Sequence, residues 1–272
     1  MYPVPTTLSP SRVESFLSCP LAFRFSAIER LPEPPQAHLT KGQLVHRALE
    51  LFYTLEAADR HTEAANAMFD RAVDEFRTLP DFVDLGLDGD ASRQFLDDAR
   101  ALTHACFTIE DPTSVRPIGL ELRLEGSVGD VTVRGVIDRL DLDADGRLVI
   151  TDYKTGKAPS PMQRHDRLSA VQCYAFLCEQ LFGSRPAEVR LLYLRSSTTV
   201  TATPTEASQR FVANRTAAVW QAVERACRTG DFRTKRSPLC SWCSFQRWCP
   251  EFGGDPSLAA VEAPRVNRPA AA

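Results

Sequence analysis

Apolar residues recur along this chain at two different spacings, and the change from one to the other divides it. Val13, Phe16 and Leu17 fall on one side of a helix that Ser9 or Ser11 can cap, and Cys19-Pro20 is expected to stop it. Residues 31–35 read as a proline-rich loop. Leu44, Val45, Leu49, Phe52 and Leu55 predict a helix from about residue 41. Helical stretches over roughly 63–79 and 91–109 follow, around a loop at 81–89. From residue 120 the pattern turns β-branched and alternating, which predicts strands over 120–124, 131–142 and 147–153. A helix over 168–182, strands near 188–195 and 199–203, and a helix over 207–227 complete the order. Such a succession predicts an α/β class, a sheet core with helical N-terminal additions. The expected organisation is a single domain over 1–255 with a helical insertion at about 50–115. Residues 256–272, rich in Pro and Ala, are expected to form a flexible tail.

Composition narrows this picture. The chain has 272 residues, 43% apolar and 25% charged, which is a globular balance that needs no disulfide staples. Its net charge of −3 excludes a wholesale basic binder but not a local basic surface. Residues 50–111 hold fifteen acidic and five basic side chains, whereas 210–268 hold ten basic and five acidic ones. No run of 18 apolar residues and no basic, apolar leader occur, so no membrane span and a cytoplasmic location are expected. In a reducing compartment, clustered cysteines read as metal ligands rather than disulfides.

The stretch from Ile150 through Asp152 and Lys154 carries the most chemistry. Side chains two apart on a strand share a face, so Asp152 and Lys154 point together on the face of Leu148 and Ile150. Asp143-Ala-Asp145-Gly146-Arg147 reads as a hairpin. A three-residue loop with Gly146 left-handed places Asp138 across from Asp152, and a two-residue loop would turn Asp138 to the other face. Two carboxylates and a lysine at strand ends suit hydrolysis of a phosphodiester assisted by a hard cation such as Mg²⁺. A surface ion pair is the simpler account of Asp152 and Lys154 taken alone. His46, with Glu50 one turn on, is a candidate to complete a divalent-metal shell.

Cys240, Cys243 and Cys249 form a C-x₂-C-x₅-C cluster, and Cys19, which also precedes a proline, is the candidate fourth ligand. Four thiolates accept either zinc or an iron–sulfur cluster. Cys106, Cys173, Cys178 and Cys227 lie within apolar helical patterns and read as buried.

Together, these motifs resemble the RecB-type branch of the PD-(D/E)XK nuclease superfamily, which includes AddB C-terminal nuclease domains and cluster-bearing CRISPR-associated relatives. The pieces are Ser9 to Cys19-Pro20, Gly42-x-x-x-His46, Gly135-Val-Ile-Asp138-Arg139, Asp152-Tyr-Lys154-Thr-Gly156 and the three later cysteines. The resemblance implies a restriction-endonuclease-like mixed sheet. It implies that His46, Asp138, Asp152 and the backbone carbonyl of Tyr153 hold Mg²⁺ or Mn²⁺, with Lys154 catalytic. It further implies that Cys19, Cys240, Cys243 and Cys249 hold a [4Fe–4S] cluster, zinc being the alternative. The family's Q-x-x-x-Y pair is altered. Either Gln172 keeps its place with Phe176 for tyrosine, or Tyr174 keeps its place with Ala170 for glutamine.

The function so implied is a metal-dependent DNA nuclease, an exonuclease on single strands or ends in repair or recombination. Two other readings are a catalytically silent DNA-binding or scaffold subunit of the same fold and a zinc-stabilised interaction module. No G-x-x-x-x-G-K-[ST] loop occurs, so any helicase partner is expected to be a separate chain.

Overall fold

The structure, a computed structural model, describes residues 1–160, 162 and 164–262; the part of the expected tail beyond 262 lies outside the described residues. Its helices are α1 (Pro10–Ser18), α2 (Pro20–Phe23), α3 (Ala37–Tyr53), α4 (Thr62–Phe76), α5 (Pro80–Val83), α6 (Gly89–His104), α7 (Cys106–Ile109), α8 (Arg164–Phe182), α9 (Glu206–Thr229) and α10 (Ala259–Glu262). The strands are β1 (Thr7–Leu8), β2 (Pro117–Val128), β3 (Val131–Leu142), β4 (Leu148–Lys154), β5 (Glu188–Tyr193) and β6 (Thr198–Ala202). Among the described residues they form one six-stranded mixed sheet in the order β1-β3-β4-β5-β6, with β2 also paired to β3. The β4–β5 and β1–β3 pairs are parallel, and the β3–β4 and β5–β6 pairs are antiparallel.

The chain divides into two compact units, each built from separated stretches: 1–34, 127–134 and 213–272 in one, 35–126 and 135–212 in the other. In the smaller unit, Ser9 caps α1 by accepting the Arg12 N–H at 3.2 Å, and extended backbone at Cys19 separates α1 from α2. Phe25 packs against Phe245 and Trp248, with ring centroids 5.3 and 6.2 Å away. Leu21 N–H donates to the Arg233 carbonyl, and Lys235 Nζ donates to the Leu17 carbonyl at 2.7 Å. The C-terminal segment is therefore stitched to the first helices by ring packing and backbone hydrogen bonds.

The larger unit carries the main core. One face of α3, through Leu44, Val45, Ala48, Leu49 and Phe52, packs with Phe69, Val73, Phe95 and Ala99 of α4 and α6 and with Tyr153 and Leu192 of the sheet. Arg139 is buried completely within this unit. Its guanidinium donates to Asp141 (2.8 Å), to both oxygens of Glu110 (2.7 and 2.8 Å) and to Tyr153 Oη (2.7 Å). The Tyr53 ring lies 4.3 Å from the guanidinium carbon. A buried charge is tolerated only when paired and hydrogen-bonded to this extent. Arg139→Met strands Glu110 and Asp141, and breaking a buried pair typically costs ~3–5 kcal/mol. Urea unfolding should show a midpoint lowered accordingly; an unchanged midpoint would mean the network is not structural.

Candidate active site

The β3–β4 hairpin sets the site. Asp143 N–H donates to the Arg147 carbonyl at 2.9 Å, Gly146 N–H to the Asp143 carbonyl at 3.1 Å, and Gly146 has φ +77°. This is the longer of the two loops that the sequence allows, and glycine alone enters that backbone region without steric cost. The resulting register pairs Arg139 with Thr151 and Leu140 with Ile150. One step further along, the Asp138 carboxylate accepts the Tyr153 N–H at 2.7 Å. Asp138 is thus drawn to Asp152 and Lys154, at the carboxyl end of β4.

His46 arrives from α3. Its Nε2 donates to the Tyr153 carbonyl at 3.0 Å, and its Nδ1 stands 3.5 Å from Asp138 Oδ2. Gly42, one turn earlier, leaves room for this approach, since a Cβ there would meet Thr155 Oγ1 at 3.3 Å. Burial opposes charge on His46, but the hydrogen bond and charge of Asp138, with the charge of Asp152, outweigh it and raise its pKa.

Asp152 is 6% exposed. Lys154 Nζ lies 2.6 Å from Asp152 Oδ2, an ion pair between a buried carboxylate and a partly exposed ammonium. Burial and then the like charge of Asp138 push the Asp152 carboxyl up to about 6, against the pull of Lys154. Lys154 is also raised, because the charges of Asp152 and Asp138 overcome its own burial. The two directions are consistent: the lysine faces two carboxylates, while Asp152 faces one cation and one anion.

One residue that sequence reasoning missed joins them. Ligand atoms of His46, Glu121 and Asp138 all lie within 4.8 Å of one another, the one such set among the described residues. Glu121 sits in the alternating run Leu120-Glu121-Leu122-Arg123-Leu124, where every second residue reads as solvated. Its backbone is left-handed, φ +43°, which breaks that alternation; no sequence signal marks it. Burial and the charge of Asp138 push its carboxyl up to about 7. A hard divalent cation fits this set, because imidazole and carboxylate ligand atoms converge from three separate elements.

On α8 the altered pair resolves unequally. Burial, then the charges of Asp152 and Asp138, raise the Tyr174 phenol pKa, so Tyr174 stands within electrostatic reach of both carboxylates. Gly135 permits this, because a Cβ there would meet the Tyr174 ring at 2.5 Å. Gln172 Oε1 is buried without a partner. In the smaller unit, Cys19, Cys240, Cys243 and Cys249 are all half-buried. Burial raises the Cys243 thiol pKa, and the nearby Cys19, Cys249 and Cys240 add to it. Cys240 Sγ accepts the Ser237 N–H at 3.3 Å. Cys106, Cys173, Cys178 and Cys227 are buried, as their apolar surroundings in the sequence indicate.

Among solved structures, the chain is similar to a protein named "Putative exonuclease" from Eubacterium rectale. The two are 10% identical with a TM-score of 0.55, over 88% of this chain and 87% of that one, which is a likeness of fold. It is also similar to SSO0001, at 12% identity and a TM-score of 0.42, over 92% and 89% of the two chains. No curated protein matches the sequence. The model of the PD-(D/E)XK nuclease superfamily matches residues 7–250, most of the chain and all the residues just described as the site. With the mixed sheet and the Asp138–Asp152–Lys154 convergence already in place, that match supports a nuclease, and the chain belongs to the PD-(D/E)XK nuclease superfamily.

Proposed function

We propose that this chain is a divalent-metal-dependent deoxyribonuclease, a RecB-type exonuclease acting on single strands or DNA ends in repair or recombination. The observation that carries the reading is the convergence of Asp138, Asp152 and Lys154 at the end of β4, with His46 donating to the Tyr153 carbonyl beside them. His46, Asp138, Asp152 and the Tyr153 carbonyl would hold Mg²⁺ or Mn²⁺. Bound there, the cation supplies Lewis acidity toward a phosphate oxygen and activates water. Lys154, partly exposed and held charged by two carboxylates, is placed to neutralise charge growing on the phosphate. The Asp138 carboxylate is fixed by the Tyr153 N–H, so the site needs little rearrangement to bind a cation. Tyr174, over Gly135 and within electrostatic reach of both carboxylates, would be an accessory residue in this reading. One nuclease domain over 1–255, a cytoplasmic location and a separate helicase chain belong to this reading. Among the described residues, no helix is long and apolar enough to cross a membrane.

Purified protein incubated with end-labelled DNA should degrade it only when Mg²⁺ or Mn²⁺ is added. Asp152→Ala should abolish cleavage. Lys154→Ala should slow it by ~10²–10³-fold, the usual cost of losing one contact to transition-state charge. A Lys154→Ala protein cutting at the wild-type rate would overturn the assignment.

The four thiols support a second part of the reading, a [4Fe–4S] cluster held by Cys19, Cys240, Cys243 and Cys249. Anaerobically purified protein should contain about four irons per chain and absorb broadly in the visible. Cys243→Ser should lower the melting temperature of the whole protein, because a crosslink between such distant stretches contributes several kcal/mol, about the size of a long-loop crosslink. Zinc in place of iron, or an unchanged melting temperature, would count against the cluster.

A further inference from the structure

Glu121 has no part in the ligand set proposed above, yet the structure brings it there. Its ligating oxygen lies within 4.8 Å of those of His46 and Asp138, although it comes from β2 whereas they come from α3 and β3. Among the described residues its half-buried carboxylate has no hydrogen-bond donor and no salt-bridge partner. Its φ of +43° is a conformation that a side chain with a Cβ adopts only when its surroundings hold it there. Nearby, the buried Asp152 carboxylate has its ion pair with Lys154, at 2.6 Å, so that cation is already engaged and does not serve Glu121. Glu121 and Asp138 approach each other with one backbone N–H, donated to Asp138, to offset their charges; they repel, and a hard cation removes that repulsion. Gly119, two residues earlier, could not carry a Cβ without meeting Leu122 at 3.0 Å, so the backbone around Glu121 is tightly folded rather than plainly extended.

We propose that Glu121 is a further ligand of the divalent cation, supplied by β2 to the ion held by His46 and Asp138. The proposal rests on the metal-dependent reading and enlarges its ligand set to three carboxylates, one imidazole and one carbonyl. It also gives β2 a chemical duty beyond pairing with β3. The distorted backbone at Glu121 then has a reason, since it turns a side chain from the alternating solvated face toward the ion.

Binding of Mn²⁺ to the full chain, followed by the electron paramagnetic resonance signal of the free ion, tests this without any cleavage step. Glu121→Gln keeps the shape and removes the charge. It should weaken Mn²⁺ binding at least ~10-fold, the lower end of what even outer-shell changes cost. Glu121→Asp, which keeps the charge on a shorter stem, should fall between the two and guards against a folding defect in the glutamine variant. The metal-free melting temperature should barely move, while the stabilisation added by a fixed Mn²⁺ concentration should shrink with the affinity. A Glu121→Gln protein that folds and binds Mn²⁺ as tightly as the wild type would overturn the proposal. Mn²⁺ binding that depends on Glu121 in a protein that leaves DNA intact would support the ligand and overturn the nuclease reading. Wild-type protein that binds no Mn²⁺ would overturn both.

Discussion

A guanidinium with no solvent exposure lies on one face of the β3–β4 hairpin, and the arrangement of the opposite face depends on it. Arg139 is satisfied only when Asp141 on its own strand, Glu110 beside α7 and the Tyr153 hydroxyl on β4 all reach it. Removing a charge from water is expensive enough that a chain packing these elements differently would be left with an unpaired ion. Successive side chains of a strand alternate between faces, so holding Arg139 down holds Asp138 up. The same applies across the hairpin, where Tyr153 is buried in the core and its neighbours Asp152 and Lys154 turn to the other side. A slip of one residue between the strands would bury Asp138 and expose Arg139, which are the two worst outcomes available.

Tyr153 links this network to the chemistry. Its ring packs in the core beside Leu192, its hydroxyl accepts from Arg139, its N–H donates to Asp138 and its carbonyl accepts from His46. Four separate interactions on one residue make the position of the carbonyl a consequence of core packing rather than of the local loop. Lys154 follows directly, and the Asp152 carboxylate precedes it. Helix α3 contributes as well, because it presents His46 while its other face forms the core.

Much of this was legible in the sequence, and for physical reasons. The Asp143 to Arg147 loop has two solutions, each fixing the parity of every pair beyond it, so one assumption about Gly146 placed Asp138 opposite Asp152. The bounds of β3 were readable because Val131 to Leu142 is rich in β-branched and apolar residues between turn signals, although Val136-Ile137 and Asp138-Arg139 interrupt its alternation. Three things were not readable. β1 is two residues long, too short for any period to show. The π-helical turn Arg24–Ile28 follows α2 in a stretch whose apolar spacing does not distinguish it from an α-helix. Glu121 was hidden because alternation assumes an extended backbone, and its left-handed φ violates that assumption at the residue that matters. On α8, spacing showed that Gln172 and Tyr174 could not share a face but left open which of them keeps its place; Tyr174 packs over Gly135, within electrostatic reach of the carboxylates.

The placement of Tyr153 bears on how this site can move. Amides and side chains that open easily belong to segments with few buried contacts. The Tyr153 backbone is the reverse case: its N–H and carbonyl are both engaged in the site, and its ring cannot leave without uncovering Arg139 and the core around α3. Local fraying of this stretch is therefore tied to opening of the larger unit, and the two should share one hydrogen-exchange free energy. Any adjustment that admits a strand must come from elements less deeply anchored than the end of β4. The ligand platform stays still while the parts around it give way.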